Sequence, residues 1–527
     1  LLTDSNWILH SAQHDKVSCP APNSSPSFLM PHLTIRADQP GPVIDRHIFG
    51  HFAEHLGRCI YDGLWVGESS KIPHVRGWRS DLVVALKQIR VPNLRWPGGC
   101  FADDYHWRDG IGPREKRPRR INAHWGGVVE DNAVGTHEFL DLCGQLGCEP
   151  YLAVNVGSGS PREVRAWVEY CNAAAGTLAE ERAANGRREP WQVRLWGVGN
   201  ETWGCGGNMT VEYYANEYRR FATYTRDFPN ALLYRIASGA RNDDYHWTDV
   251  MMREAFKGPI GGPMLQGLSL HYYTVPGDWP PRHPATGFDH AGWNSVMALG
   301  WKMQEIVHGH CAVMDRYDPE RKTALVVDEW GAWYAPEPGT NPGFLYQQQT
   351  VRDAVLAALT LNIFINHCER VRIANLAQIV NVLQAVALTE EGGGRLVLTP
   401  TWDVLAFYAA HQDAARLPVQ MEPAFFRHEG RDFPAVSATA SLAADGAVNV
   451  TLCNTDPAAP AEITLTLDGR TPVLAEARVL ATPVLTTCNT FDQPRAVTTR
   501  PLAEMRVSGD AVAFSLPPGA VASLRFS

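Results

Sequence analysis

"IFGHFAEHLGR" (residues 48–58) admits two readings, and the choice between them decides the fold. His51, Glu54 and His55 spell H-x-x-E-H. On a helix that order sets two imidazoles one turn apart with a carboxylate beside them, as in an inverted zinc-protease motif. Such a motif lies inside a long helix and needs a third ligand from further along the chain. Here Gly50 precedes the first histidine and Gly57 follows the second, while "HIFGHF" (47–52) is strand-like. We therefore read the stretch as the end of a strand and its loop. Glu54 is then a free acceptor at a pocket floor, and the histidines pack or hydrogen-bond around it.

The same texture recurs along the chain. Short apolar, β-branched runs end in polar residues or glycine at "VPNLRW" (91–96), "EPYLAVNV" (149–156), "VRLWGVGN" (193–200), "LLYRIAS" (232–238), "LQGLSLHYY" (265–273), "TALVVDEW" (323–330) and "RVRIANLA" (370–377). Between them lie stretches with apolar residues at i, i+3 and i+4, such as 80–89, 135–146, 161–176 and 210–227. Eight alternating units predict a parallel (β/α)8 TIM barrel. An open doubly wound sheet is disfavoured because no Gly-x-Gly-x-x-Gly follows the first strand. After about residue 415 the pattern becomes apolar–polar alternation between turn signals, as in "AEITLTLDGRTPVLAEARVLAT" (461–482), which predicts a jelly-roll-like β-sandwich. The expected organisation is a disordered leader over 1–30, an N-terminal strand within 31–45 that joins the sandwich, the barrel over 46–414 and the sandwich over 415–527.

Composition narrows the function classes. Of 527 residues, 45% are hydrophobic and 20% charged, an ordinary globular balance. A net charge of −9 argues against a nucleic-acid partner. The basic run at 114–120 is short and interrupted by Pro118, and reads as a solvated loop. No apolar run is long enough for a membrane helix. The 11 cysteines include no C-x-x-C pair, so no disulfide framework is expected and a cytoplasmic location fits.

In a TIM barrel the reactive groups stand at the C-terminal ends of the strands. Those ends carry Glu54, Gly98-Gly99-Cys100, Asn200-Glu201, His271-Tyr272-Tyr273, Asp328-Glu329, and Asn375 with Gln378. Glu201 and Glu329 fall on strands four and seven, across the barrel mouth. Two carboxyl groups about 5–5.5 Å apart define a retaining glycosidase, one attacking the anomeric carbon and the other protonating the leaving oxygen. Their proximity raises one pKa, so that group can act as the acid. Tryptophans are frequent near these ends and suit the flat C–H faces of sugars. Trp125 in "HWGGV" and Trp333 in "DEWGAW" follow loop signals and are read as pocket walls.

At "GNETWGCGGNM" (199–209) and "VVDEWGAWY" (326–334) the chain resembles the α-L-arabinofuranosidases of glycoside hydrolase family 51. Further matching blocks are 49–67, 94–107, 124–139, 268–274 and 375–385, in order along most of the barrel. The resemblance implies Glu201 as acid/base and Glu329 as nucleophile. Asn200 would bond the sugar 2-hydroxyl, Tyr273 would orient the nucleophile, and Glu54, Cys100 and Gln378 would hold furanose hydroxyls. Trp125 and Trp333 would line the sugar and leaving-group sites. The implied activity is retaining, exo-acting release of terminal α-L-arabinofuranosyl residues from arabinan, arabinoxylan or derived oligosaccharides, without cofactor or metal, by a homohexamer. Thr202 and Gly331 depart from the family pattern and bear on leaving-group preference. The competing readings are an endo-β-glucanase or β-xylosidase on the same scaffold, a metalloenzyme, and a non-catalytic sugar-binding protein.

Overall fold

The computed structural model describes residues 31–256, 258, 264–422 and 424–527. The segment read as a leader lies outside the described residues. Eight parallel strands close into a barrel: β1 (Gly50–Phe52), β2 (Asn93–Trp96), β3 (Glu149–Val154), β4 (Leu195–Val198), β5 (Tyr234–Arg241), β6 (Gly267–Thr274), β7 (Ala324–Ala332) and β8 (Val371–Ala377). A helix follows each strand: α1 (Ser80–Gln88), α2 (Thr136–Leu146), α3 (Pro161–Asn172), α4 (Val211–Tyr224), α5 (Tyr245–Ala255), α6 (His290–Asp315), α7 (Val351–Asn366) and α8 (Pro400–Tyr408).

Local signals fix several helix starts. Ser160 accepts from the Glu163 N–H with Pro161 at the first position, and Thr210 accepts from the Tyr213 N–H. α7 is buried over nearly its whole length, because it packs between the barrel and the sandwich strands Val436–Leu442 and Val448–Asn454. The first strand is shorter than its sequence run. Arg46–Phe49 form a 3-10 turn, and Asp45 caps it by accepting from the His47 N–H.

The C-terminal region is a two-sheet sandwich. One sheet runs Val419–Met421, His32–Arg36, Ala461–Asp468, Ala511–Leu516, Arg506–Ser508. The other has six strands, with Val448–Asn454 and Val521–Phe526 at its centre. The leading strand His32–Arg36 pairs in parallel with Ala461–Asp468. A separate core of Leu33, Ile35, Val450, Leu452, Leu465 and Phe514, among others, fills the space between the sheets.

Two bulges in the barrel shape the site. Ala237 and Ala240 of β5 oppose Leu268 and Leu270 of β6, so β5 carries one extra residue there. Ser269 and His271 of β6 oppose Val326 and Glu329 of β7, so β7 also carries an extra residue. An extra residue breaks the two-residue alternation of a strand. As a result Asp328 and Glu329, neighbours in sequence, both turn into the barrel mouth. The first bulge centres on Gly239, whose N–H donates to Ser269 Oγ at 2.9 Å. A Cβ at Gly239 would stand 1.6 Å from the Ser269 carbonyl oxygen. Gly239→Ala is therefore expected to part β5 from β6 and to lower the apparent unfolding temperature by roughly 5 °C or more. A thermal scan within 1 °C of wild type would contradict that account.

Candidate active site

Arg95 of β2 is the residue around which the site is built, and it is almost wholly buried. Its Nη1 donates to Glu329 Oε1 at 2.8 Å and its Nη2 to Asn200 Oδ1 at 2.6 Å. Its Nε lies 3.4 Å from Asp328 Oδ2, an ion-pair distance beyond a good hydrogen bond. The guanidinium also sits over the Phe52 ring, 4.7 Å from its centroid. Tyr273 Oη donates to the other oxygen, Glu329 Oε2, at 2.8 Å. Both oxygens of Glu329 are thus held, which fixes the plane of the carboxylate.

Glu201 faces Glu329 from the end of β4. One carboxylate oxygen of each, with a ring nitrogen of His271, lie within 4.8 Å of one another. His271 Nδ1 is 3.0 Å from Glu201 Oε1, and its Nε2 is 3.2 Å from Asp328 Oδ1. Burial opposes charge on this imidazole, but Glu329, Asp328 and Glu201 outweigh it and push its pKa up to about 10. His271 is therefore an imidazolium and donates to both carboxylates. Asp328, buried but beside Arg95 and His271 and bonded by Tyr151 Oη at 2.7 Å, is held below the usual carboxylate range. Arg95 and His271 thus balance Asp328 and Glu329. Glu201 shares the His271 imidazole with Asp328. Burial, together with the Glu329 charge, raises the Glu201 pKa above the ordinary glutamate value. Oε1 faces His271, which leaves Oε2 as the oxygen open to a proton.

The backbone presents Glu201 in the left-handed region, with φ 41°. The turn that follows secures it, since the N–H groups of Gly204 and Gly206 both donate to the Glu201 carbonyl. Asp103, in the loop after β2, fastens the same corner by accepting from the N–H groups of Asn200, Val156 and Gly157.

Glu54 closes the inner end of the cavity. Its Oε1 accepts from the Phe101 N–H at 3.0 Å and from Trp125 Nε1 at 2.8 Å, and its Oε2 accepts from Gln378 Nε2 at 3.0 Å. Burial, then the nearby Glu329, pushes its pKa up to about 7. The histidines of the opening motif have other work. Trp96 Nε1 donates to His55 Nε2 at 3.0 Å, so His55 carries its proton on Nδ1 and donates to Glu130 at 2.8 Å. His51 lies inside β1, and burial lowers its pKa to about 3.

These groups line a cavity of about 580 Å³, together with Trp125, Trp203, Trp279, Trp333 and Leu345. Glu54 and Gln378 are 1% exposed and Glu329 is 5% exposed, whereas Trp279 is 61% exposed, so the cavity has a closed inner end and an aromatic mouth. Glu54, Cys100, Trp125, Glu201, Tyr273, Glu329, Trp333 and Gln378, all singled out from the sequence, border this cavity, whereas Asn200 bonds Arg95 without lining it and Asn375 bonds the His51 carbonyl and Asn93 instead. Cys100 lines the cavity in an unexpected form. It is joined to Cys205 as a disulfide, with the Cα atoms 5.5 Å apart. It therefore has no S–H to offer a sugar hydroxyl, and the expectation of a chain without disulfides is corrected. The pairing was hidden because the two cysteines lie in loops after β2 and β4, which only the closed barrel makes neighbours. Trp96, Trp107 and Trp330 are buried packing residues. The basic run at 114–120 is not simply solvated, because buried Arg117 is paired with Glu138 at 3.0 Å.

Two family models match the chain, the α-L-arabinofuranosidase 1 domain over residues 85–278 and the α-L-arabinofuranosidase C-terminal domain over 328–519. An intracellular exo-α-L-arabinofuranosidase of Bacteroides ovatus is 46% identical over 495 residues, covering 93% of this chain and 95% of its own. The chain belongs to the α-L-arabinofuranosidases of glycoside hydrolase family 51. The crystal structure of the family 51 arabinofuranosidase from Xanthomonas axonopodis pv. citri superposes with a TM-score of 0.92 at 50% identity, over 95% of this chain and 100% of that one. The Thermotoga maritima α-L-arabinofuranosidase in its arabinose complex gives a TM-score of 0.81 at 29% identity, over 94% and 99%.

Arg95→Lys keeps the charge but cannot bridge Glu329 and Asn200 with one ammonium. It is expected to lower kcat by about two orders of magnitude, the loss of one or two charge-assisted hydrogen bonds. A near-wild-type kcat in a folded Arg95→Lys protein would contradict the bridging role. Glu54→Gln removes the anionic acceptor at the inner end and should reduce kcat/KM about 10- to 100-fold, while EDTA dialysis leaves the wild-type rate unchanged.

Proposed function

We propose that the chain removes single, terminal non-reducing α-L-arabinofuranosyl residues by double displacement, with Glu329 as nucleophile and Glu201 as acid/base. The observation that carries this reading is the close approach of the two carboxyls, with oxygens within 4.8 Å of one another. That leaves no room for a water between carboxylate and sugar and suits direct attack, the retaining geometry. Arg95 and Tyr273 hold both oxygens of Glu329 in orientation for attack. Glu201 delivers the proton from Oε2 to the leaving oxygen. When Glu329 becomes an ester its charge is lost, the proton affinity of Glu201 falls, and the same group can take a proton from water.

Arg95 takes up Asn200 Oδ1, and one N–H of the amide contacts Cys205 Sγ, which leaves the other to bond the sugar 2-hydroxyl. Glu54 and Gln378 meet the remaining furanose hydroxyls at the closed end, which is why one sugar enters and cleavage is exo. Trp125 walls the sugar, and Trp333 and Trp279, stacked edge to face with centroids 5.0 Å apart, flank the leaving group. A closed inner end does not suit an endo-β-glucanase, which threads a chain through an open cleft. A β-xylosidase remains the competing exo reading, and p-nitrophenyl arabinofuranoside against the xyloside separates the two. Arabinan, arabinoxylan and their oligosaccharides are the proposed sources of substrate. The name of the Bacteroides ovatus relative supports a cytoplasmic location, and the family resemblance supports a hexamer, which light scattering would register at about six times the 58.3 kDa chain.

Product NMR during the first turnovers should show the anomer retained, and an inverted product would overturn the mechanism. Glu329→Ala should lose about 10⁴-fold or more in kcat. Glu201→Ala should still form the ester from an aryl arabinofuranoside and regain turnover with azide. Retention of near-normal turnover by Glu329→Ala without azide would remove it as the nucleophile.

A further inference from the structure

The disulfide stands beside the proposed acid/base. Cys205 Sγ lies 3.7 Å from Glu201 Oε2 and 3.8 Å from Asn200 Nδ2. Oε2 is the oxygen assigned the catalytic proton above. A disulfide sulfur carries no hydrogen, so the 3.7 Å contact is not a hydrogen bond to the carboxylate. A thiol at the same place carries one donor.

We propose that the Cys100–Cys205 pair is a redox-dependent positioning element for Glu201: as a disulfide it withholds a hydrogen-bond donor from the proton-carrying oxygen, and as a dithiol it supplies one. The inference rests on the reading of Glu201 as acid/base. A donor to the ionised carboxylate favours loss of the proton. The disulfide therefore keeps Glu201 in the acid form to higher pH, and reduction releases the proton earlier.

The remaining groups facing Glu201 do not change with the redox state. They are His271 and Tyr273 on β6, Glu329 on β7, Arg95 on β2, Glu54 after β1 and Arg241 at the end of β5. The turn has ties besides the disulfide. The Gly204 and Gly206 N–H groups donate to the Glu201 carbonyl. Asp103 ties the loop after β2 to Asn200. A Cβ at Gly206 would stand 1.8 Å from the Asn200 carbonyl oxygen, so the turn is already packed against the corner it supports.

Exchange is feasible from the substrate side. Cys100 lines the open cavity, and both cysteines are partly exposed. A thiolate of an added dithiol attacks Cys100 Sγ and expels Cys205 as a thiolate, which takes up a proton. The second thiolate of the reductant then displaces the Cys100 sulfur, which is also protonated. The enzyme gains two S–H groups and the dithiol leaves as a cyclic disulfide.

The test compares the full-length enzyme in both states, with the thiol content verified by mass spectrometry after alkylation. The readout is the alkaline limb of kcat/KM on an arabino-oligosaccharide, whose poor leaving group needs the acid. Dithiothreitol should move that limb down by about 0.5–1 pH unit, a three- to tenfold loss above it. Cys205→Ser, with a permanent hydroxyl donor, should show the lowered limb with or without reductant. Cys205→Ala, with no donor at the position that touches Oε2, should keep the higher limb in both conditions, and Cys100→Ala/Cys205→Ala, which removes the remaining thiol as well, should do the same. Superimposable profiles for the oxidised and reduced wild type would overturn the proposal. So would a fall in kcat at every pH with a fixed limb, which marks a purely structural bond. A loss reversed by EDTA would also overturn it, as capture of a metal ion by Cys100, Glu201 and Cys205. Persistence of the alkaline limb in Glu201→Gln would fail the acid/base reading itself, separately from the redox effect.

Discussion

The site depends on one buried guanidinium. Arg95 rises from β2 into the barrel mouth, where water cannot pay back the solvation it loses on burial. It is tolerable there only because Asp328 and Glu329 approach it from β7 and Asn200 accepts from it at the end of β4. The dependence runs both ways. Glu329 and Asp328 are equally buried, and without the cation their charges would repel at short range. Glu329, the Asn200 amide and Asp328 are therefore oriented by a single side chain. Removing its charge altogether would leave two buried carboxylates uncompensated, a change on the order of 3–5 kcal/mol.

From that ion cluster the division of labour between the two glutamates follows. The cluster holds two cations, Arg95 and His271, and the strands deliver more than two carboxylates to it. Asp328, beside Arg95 and His271, is held below the usual carboxylate range. Glu201, which touches only His271 and confronts the Glu329 charge, is left to bind a proton. Glu54 lies deeper and is raised for the same combination of burial and like charge. Of the two proposed catalytic glutamates, Glu201 has no contact with the guanidinium as short as that of Glu329, and it suits the acid role proposed for it. The bulge in β7 makes this possible, since a regular strand would turn Asp328 away from the cavity that Glu329 enters.

The alternation of strand-like runs and amphipathic helices was legible because each element is paced by its own local period, and the structure places a strand at every run. The glutamates were legible because barrel strands end in loops at one face, so "GNET" and "VVDEW" announced themselves. Arg95 was not. It sits inside "VPNLRW", a run otherwise read as strand interior, and nothing local distinguishes an inward arginine from one at a sheet edge. Asp328 was named at its strand end but given no role, and the bulge that turns it inward leaves no mark in composition. The Cys100–Cys205 bond is likewise a product of closure, joining loops far apart in the chain. Tyr273 and Gln378 were named at strand ends and Trp125 by its loop signal, the resemblance added their roles, and each makes a hydrogen bond to Glu329 or Glu54 in the structure.

The central claim is that the Glu329 charge helps keep the proton on Glu201. Carbon-13 NMR of glutamate-labelled enzyme, with the Glu201 signal assigned by its loss in Glu201→Gln, measures this directly as a carboxyl titration. The account predicts that Glu201 titrates above the ordinary glutamate value in the wild type, and that Glu329→Gln moves the titration to lower pH. A Glu201 that titrates at the ordinary value, or one unmoved by Glu329→Gln, would contradict it.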